Sequence, residues 1–175
     1  MRCSVFIATS VDGFIAREDG SIDWLSIVER PNEDYGYSKF FESVDTLVLG
    51  RKTYEIALGF EAWPYANKRV IVMTHQARTP RFGEELFSGE PAELAARLAK
   101  EGSKRVYVDG GSVIRQFLAQ KLVTDLTLSI VPVLLGAGIR LFDRAPSEVR
   151  LELLSTREFE SGLVQVRYTV TQPLA

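Results

Sequence analysis

The chain carries one histidine and one cysteine in 175 residues, and each scarcity removes a class of chemistry. A lone imidazole, His75, excludes metal sites built on several histidines, and no metal is expected. A lone thiol, Cys3, excludes a disulfide framework and points to a reducing compartment, with the cytoplasm as the expected location. Cys3 has no histidine near it in sequence and reads as a small core residue. An excess of either charge is also missing: 21 Lys and Arg stand against 23 Asp and Glu, for a net charge of −2. The basic residues are scattered without a stripe, so no nucleic-acid partner is expected. No apolar run approaches the length of a membrane span, and the first residues lack the apolar core of a signal peptide. No membrane partner is expected. Repeats, linkers and low-complexity tracts are absent, which leaves one domain over residues 1–175.

What is present alternates strand and helix, then ends in strands. Apolar runs at 3–8, 45–50, 69–75 and 105–108 read as buried strands. Residues 9–24, rich in Gly, Asp and Ser, read as a long loop with a brief extended piece around Phe14–Ala16. Tyr37, Phe40, Phe41 and Val44 recur at the spacing of one helix face, and 51–58 and 90–102 are further helices. Pro91 in the first turn and Gly102 past the end make the last of these the clearest. In the final third, Leu126, Leu128 and Ile130 alternate within a run at 125–136, Leu151 and Leu153 alternate similarly, and Val164, Val166, Tyr168 and Val170 do so most regularly. A turn at 160–163 makes the last two strands an antiparallel hairpin. The pattern predicts an α/β fold with a mixed, mostly parallel sheet, an antiparallel C-terminal edge and helices on both faces.

Two glycine turns carry the functional signal. In VYVDGGSVIRQFLA (106–119) a strand runs through Gly110 and Gly111 into a helix. The first N–H groups of a helix have no partner within it, so such a junction is a ready anion site. A tight turn without a ligand explains the motif alone equally well. The second junction, LGRKTYE (49–55), places Arg51 and Lys52 in the first turn of a helix, where cations oppose the macrodipole. An anion held between them and the free N–H groups resolves that conflict, with Thr53 adding a hydroxyl. Gly50 does not open a Walker A loop, because Arg51 interrupts Gly-Lys. Both turns fall on the carboxyl edge of the sheet, where open α/β folds bind ligands. A dinucleotide with a pyrophosphate and a separate 2′-phosphate, NADPH, suits two anion sites better than NADH.

Five fragments in order, FIATSVDGFIA (6–16), VDTLVLGRKTYE (44–55), RVIVMTH (69–75), VYVDGGSVIRQFL (106–118) and LTLSIVPVLLGAGIRLF (126–142), resemble the dihydrofolate-reductase-like superfamily. The likeness is nearest to the reductase domain of the riboflavin-biosynthesis deaminase/reductase and its stand-alone relatives. It implies a three-layer fold of that type and an NADPH-dependent reductase acting on a planar heterocycle, as in 5-amino-6-(5-phosphoribosylamino)uracil reductases. At matching positions it implies that Gly50, Arg51, Lys52 and Thr53 hold the 2′-phosphate and pyrophosphate, with Met73, Thr74 and His75 beside the adenine. Gly110, Gly111, Ser112, Val113 and Ile114 would follow the phosphates, and Ala8 and Ile15 would flank the nicotinamide. It also implies a cis peptide between Gly110 and Gly111, and a homodimer through the C-terminal strands.

On the substrate side the chain departs from the riboflavin enzyme. Asp109 stands where that enzyme generally has a glutamate, Ala57 where it usually has an aspartate, and Ser38 and Phe41 where a His-x-x-Arg pair holds the phosphoribosyl group. Phenylalanine cannot replace the charge-assisted bonds of arginine. Trp24, Tyr37 and Phe40 fit a planar, less charged substrate such as a pterin, flavin or pyrimidine, although core packing explains them too. Asp109, Asp23 or Asp34 could relay the proton that accompanies hydride transfer, with Asp109 taken as the catalytic and substrate-binding candidate. Two alternatives remain open: a dihydrofolate reductase, although the first helix offers only Glu42 as its acid, and an NADPH-binding module without turnover.

Overall fold

The computed structural model describes residues 1–143 and 148–171. Strand β1 (Arg2–Ser10) opens the chain and runs longer than its apolar letters alone, because buried Thr9 and Ser10 continue it. Ser10 ends it by donating to Asp12 at 2.6 Å and accepting from the Phe14 amide at 2.9 Å. The glycine-rich stretch that follows holds β2 (Phe14–Ala16) and a 3-10 helix at Asp23–Val28, the latter not anticipated from sequence. Then come α1 (Tyr37–Glu42), β3 (Thr46–Gly50), α2 (Arg51–Leu58), β4 (Arg69–Met73), β5 (Glu85–Phe87), α3 (Pro91–Lys100), β6 (Arg105–Asp109) and α4 (Gly111–Ala119). The last third contains β7 (Asp125–Val131), β8 (Ile139–Arg140), β9 (Arg150–Glu158) and β10 (Val164–Thr171). The run read at 125–136 stops at Val131, because Pro132 has no N–H for a ladder.

Eight strands form one sheet in the order β5-β4-β3-β6-β1-β7-β10-β9. Every pair from β5 to β7 is parallel, whereas β10 pairs antiparallel with both β7 and β9. β2 and β8 pair separately as a small antiparallel ribbon.

Alternation along the strands divides the core between two faces. Val48, Ile71, Val106 and Val108 pack with Leu94 and Leu98 of α3 and with Val113, Ile114 and Phe117 of α4. Leu47, Leu49, Val70, Val72 and Tyr107 point the other way, against Phe40 of α1 and Tyr54 and Ala57 of α2. Cys3 is buried on the first face, as expected of a core residue. At the amino ends of the strands Arg105 pairs with Asp125 at 3.2 Å, and Asp45 accepts from the amides of Lys104 and Arg105 at 2.7 and 3.0 Å. That edge is tied off by its own residues, and the opposite edge carries the cleft. No helix among the described residues is long and apolar enough to cross a membrane.

Candidate active site

β3 and β6 lie side by side, so the two helices that follow them begin next to each other. Gly50 precedes α2 and Gly110 precedes α4, and neither helix has a side-chain cap. α3 does: Glu90 and Glu93 form a capping box at its start. The leading N–H groups of α2 and α4 are thus left for something outside the helices. Gly110 sits at φ 94° and ψ 128°, where a side chain is strained, and a β-carbon there would run into the Thr53 hydroxyl. A β-carbon on Gly111 would stand 2.6 Å from Ile15 Cδ1. The glycines therefore serve the close packing of the two turns as well as the space above them. The Gly110–Gly111 peptide is trans, which corrects the expected cis bond; the positive φ of Gly110 already redirects the chain from strand to helix.

Above these turns opens a cleft of about 780 Å³, within the range of cofactor sites. Its walls bring together nearly all the residues singled out from sequence. Ala8 and Ile15 come from β1 and β2; Gly50, Arg51, Lys52 and Thr53 from the first turn; Met73, Thr74 and His75 from the end of β4. Gly110, Gly111, Ser112 and Val113 complete the second turn. Ile114 does not line it. That side chain is fully buried between α4 and the sheet, because it lies on the core-facing side of the helix.

The electrostatics of the α2 turn are less simple than its sequence. Arg51 donates to both Glu55 oxygens at 2.9 Å, one turn along, and Arg78 also binds Glu55. An internal carboxylate thus shares the two guanidinium groups. Lys52 is exposed and has no ion pair among the described residues. Glu84, buried under the 75–84 loop, accepts from the Tyr54 hydroxyl and from the amides of Arg81 and Phe82 at 2.7 and 2.8 Å. Burial pushes its carboxyl upward, but these donors outweigh burial and hold it below the ordinary value.

Asp109 ends β6 at the floor of the cleft. Its Oδ1 accepts from the Gly110 amide at 2.8 Å. Burial pushes its carboxyl up to about 6, against the lowering effect of the Gly110 amide. Tyr37, Tyr65 and Tyr107 surround it, each raised above the ordinary phenol value first by burial and then by the Asp109 charge. Tyr107 donates to the Phe6 carbonyl at 2.9 Å. The other proton-relay candidates are placed otherwise. Asp23 is exposed and paired with Arg17 at 2.6 Å. The Ser38 hydroxyl, followed by the amides of Ser38 and Gly36, holds the Asp34 carboxyl below the ordinary value.

A second cavity of about 380 Å³ adjoins the cleft along β1, sharing Phe6, Ile7, Ala8 and Leu25 with it. Tyr37 lines it. Trp24 lines neither cavity: it is 2% exposed and packs with Val28, Val131 and Leu163, so its assignment to substrate is corrected to core. Phe40 is core too, on Phe6 and Tyr107.

A model of the family described as the RibD C-terminal domain matches residues 3–165. The chain belongs to this family. Protein YwjB of Bacillus subtilis (strain 168), described as uncharacterized, is 36% identical over 94% of this chain and 95% of its own length. A structure titled as a putative riboflavin biosynthesis protein from Shewanella sp. PV-4 superposes with a TM-score of 0.92 at 34% identity, covering 98% of this chain and all of that one. Dihydrofolate reductase from Enterococcus faecalis, complexed with NADP(H), superposes at 0.68 with 20% identity, covering 98% and 97% of the two chains. The last likeness shows the dihydrofolate-reductase-like fold.

Within this RibD-like reductase fold, several cleft residues escaped the sequence reading. Tyr107 could have been found, since it shares the Asp109 face of β6 by alternation. Arg115 lines the cleft and donates to the carbonyls of Arg140 and Leu141 at 2.7 and 3.3 Å; one helical turn past Gly111, it was legible in principle. Tyr65 comes from an irregular segment and left no signal. Phe41, where the riboflavin enzyme has arginine, stacks on Tyr37 with centroids 5.7 Å apart beneath the Lys68 ammonium.

Proposed function

We propose that this protein is an NADPH-dependent reductase of a planar heterocycle. The observation that carries the reading is the pair of uncapped helix starts, adjacent on the carboxyl edge of the sheet and open to one cleft with Arg51 and Lys52 at its wall. Free N–H groups of two helices, two cations and the Thr53 hydroxyl match the charge of a pyrophosphate and a 2′-phosphate. Gly50, Arg51, Lys52 and Thr53 would hold these groups from one side, and Gly110 through Val113 from the other. Met73, Thr74 and His75 would lie by the adenine, with Ala8 and Ile15 flanking the nicotinamide. When bound, the reduced nicotinamide supplies hydride.

The protein's own residues do the remainder. Asp109, with its carboxyl raised to about 6, keeps a proton at the cleft floor up to about pH 6 and can exchange it close to the working pH, where general acids are effective. The cavity beside β1, walled by Phe6, Tyr37 and Leu25, receives and orients the acceptor away from water. Glu42, the candidate acid for a dihydrofolate reductase, lines neither cavity, so the reading favours a related reductase.

The test is a nucleotide titration by intrinsic fluorescence, followed by absorbance at the nicotinamide band with pterin, flavin and pyrimidine acceptors. Selective NADPH binding with oxidation by one acceptor class is the expected result. NADPH binding without oxidation across the panel would make the protein a binding module. We further propose a homodimer through β9 and β10, supported by Leu151, Leu153 and Leu154 exposed on an edge strand.

A further inference from the structure

The second cavity has a chemistry of its own. Its deep wall includes Ser129 of β7, which is 4% exposed. Gln165 Nε2 donates to Ser129 Oγ at 3.0 Å and to the Tyr35 carbonyl at 3.0 Å. A hydroxyl that accepts one hydrogen bond still has its own proton to donate. Among the described residues Ser129 Oγ accepts from Gln165 and donates to no partner, so its proton is available to whatever fills the cavity. A buried hydroxyl proton without an acceptor disfavours a purely apolar filling.

The mouth has the opposite sign from a phosphate site. Glu29, Glu33 and Asp34 line it, and among the described residues Arg30 is the one cation with them. The Arg30 guanidinium turns back onto the carbonyls of Ile27 and Glu29 at 3.3 and 2.7 Å. The Glu33 and Asp34 carboxylates accept from backbone amides, and so remain in place at the rim. Between floor and mouth the walls are apolar and aromatic: Phe6, Leu25, Tyr37 and Val131.

Resting on the reductase reading above, we infer that this cavity takes an uncharged heterocycle that presents a carbonyl to Ser129, and that its acidic mouth rejects a phosphorylated substituent. The cavity therefore selects the unphosphorylated member of any pair that differs only in a phosphate. A dianion close to three carboxylates is repelled across several ångströms in a medium only partly screened by water and salt. A ribityl or similar hydroxylated chain meets no such cost.

The experiment uses 6-ribitylaminouracil and its 5′-phosphate, titrated against the whole protein by fluorescence quenching, with and without NADPH. The expected result is about tenfold tighter binding of the unphosphorylated compound at low salt, narrowing in 0.5 M salt. Glu29→Gln/Glu33→Gln keeps the Glu33 oxygen that accepts from the Tyr35 amide and should bring the two within about threefold of each other, leaving NADPH affinity unchanged. Ser129→Ala should weaken both compounds alike. Equal or tighter binding of the phosphate, a preference that the double variant does not alter, or no binding of either compound overturns the inference. Failure to bind NADPH alone, with the uracil preference intact, would overturn the cofactor reading and leave this one standing.

Discussion

Thr53 and Gly110 touch across the junction of two helices: the Thr53 hydroxyl occupies the space that a side chain on Gly110 would need. The turns that open α2 and α4 are therefore one packed unit. Gly110→Val should lose stability twice over, through the positive φ at about 1–3 kcal/mol and through overlap with Thr53. Gly111→Ala presses on the end of the Ile15 side chain and, at 3.1 Å, on Arg115, both of which can move, and makes ordinary contact with the Arg140 carbonyl at 3.7 Å. It should cost about 1 kcal/mol or less while still weakening nucleotide binding, because the added carbon stands in the cleft wall. Urea melts paired with NADPH titrations separate these outcomes. Equal stability losses in the two variants would contradict this account.

Charge at the α2 turn can be changed in both directions. Arg51→Ala/Lys52→Ala should weaken NADPH far more than NADH, each charge-assisted contact being worth about 1.5–3 kcal/mol. Glu55 engages Arg51 and Arg78, so Glu55→Gln should release positive charge and tighten NADPH several-fold. Titration of both nucleotides against each variant checks this. A loss shared equally by NADH would place the 2′-phosphate elsewhere.

Asp109 makes stability and activity depend on pH. Its carboxyl lies at about 6 in the folded protein against an ordinary 3.8, so between these values the folded state keeps a proton that the unfolded state releases. Its contribution to stability is full below about pH 4 and is lost as pH rises through 6, by about 2–3 kcal/mol at 1.36 kcal/mol per unit. Asp109→Asn removes that dependence. The variant should match the wild type near pH 4 and exceed it in stability above pH 6, while its turnover falls by about a hundredfold or more. Melts at two pH values and a pH–rate profile test both halves. A variant less stable than wild type at pH 8 would mean that the carboxylate is held by donors stronger than those seen.

Legibility followed periodicity. The α2 and α4 turns could be read because a glycine, a strand and a helical repeat coincide within a few residues. β5 could not, since Glu85–Phe87 is too short for alternation to register. Trp24 misled because an aromatic residue in a glycine-rich loop reads as a ligand wall, whereas the 3-10 helix turns it into the core. Ile114 was carried along with its glycine turn, although the helical repeat puts it opposite the cleft. Ser129 and Gln165 lay on the polar side of alternating strands and gave no sign that this side is buried.

The C-terminal edge bears on assembly. β9 is the last strand of the sheet, and Leu151, Leu153 and Leu154 are 41%, 56% and 53% exposed on it, with Val164 on β10 at 36%. An edge strand with free backbone groups and three exposed leucines invites a partner, and natural proteins usually protect such edges with charge. A second copy related by a twofold axis would cover the same strand on both chains. Light scattering at micromolar concentration should give a mass of about 39 kDa, twice the 19.6 kDa chain. Leu153→Lys/Leu154→Lys should return it to the monomer mass with the circular dichroism spectrum unchanged, since neither side chain belongs to the core. A monomeric wild type would end the proposal, and so would a dimer that survives the double substitution, because its contact would then lie on the helices.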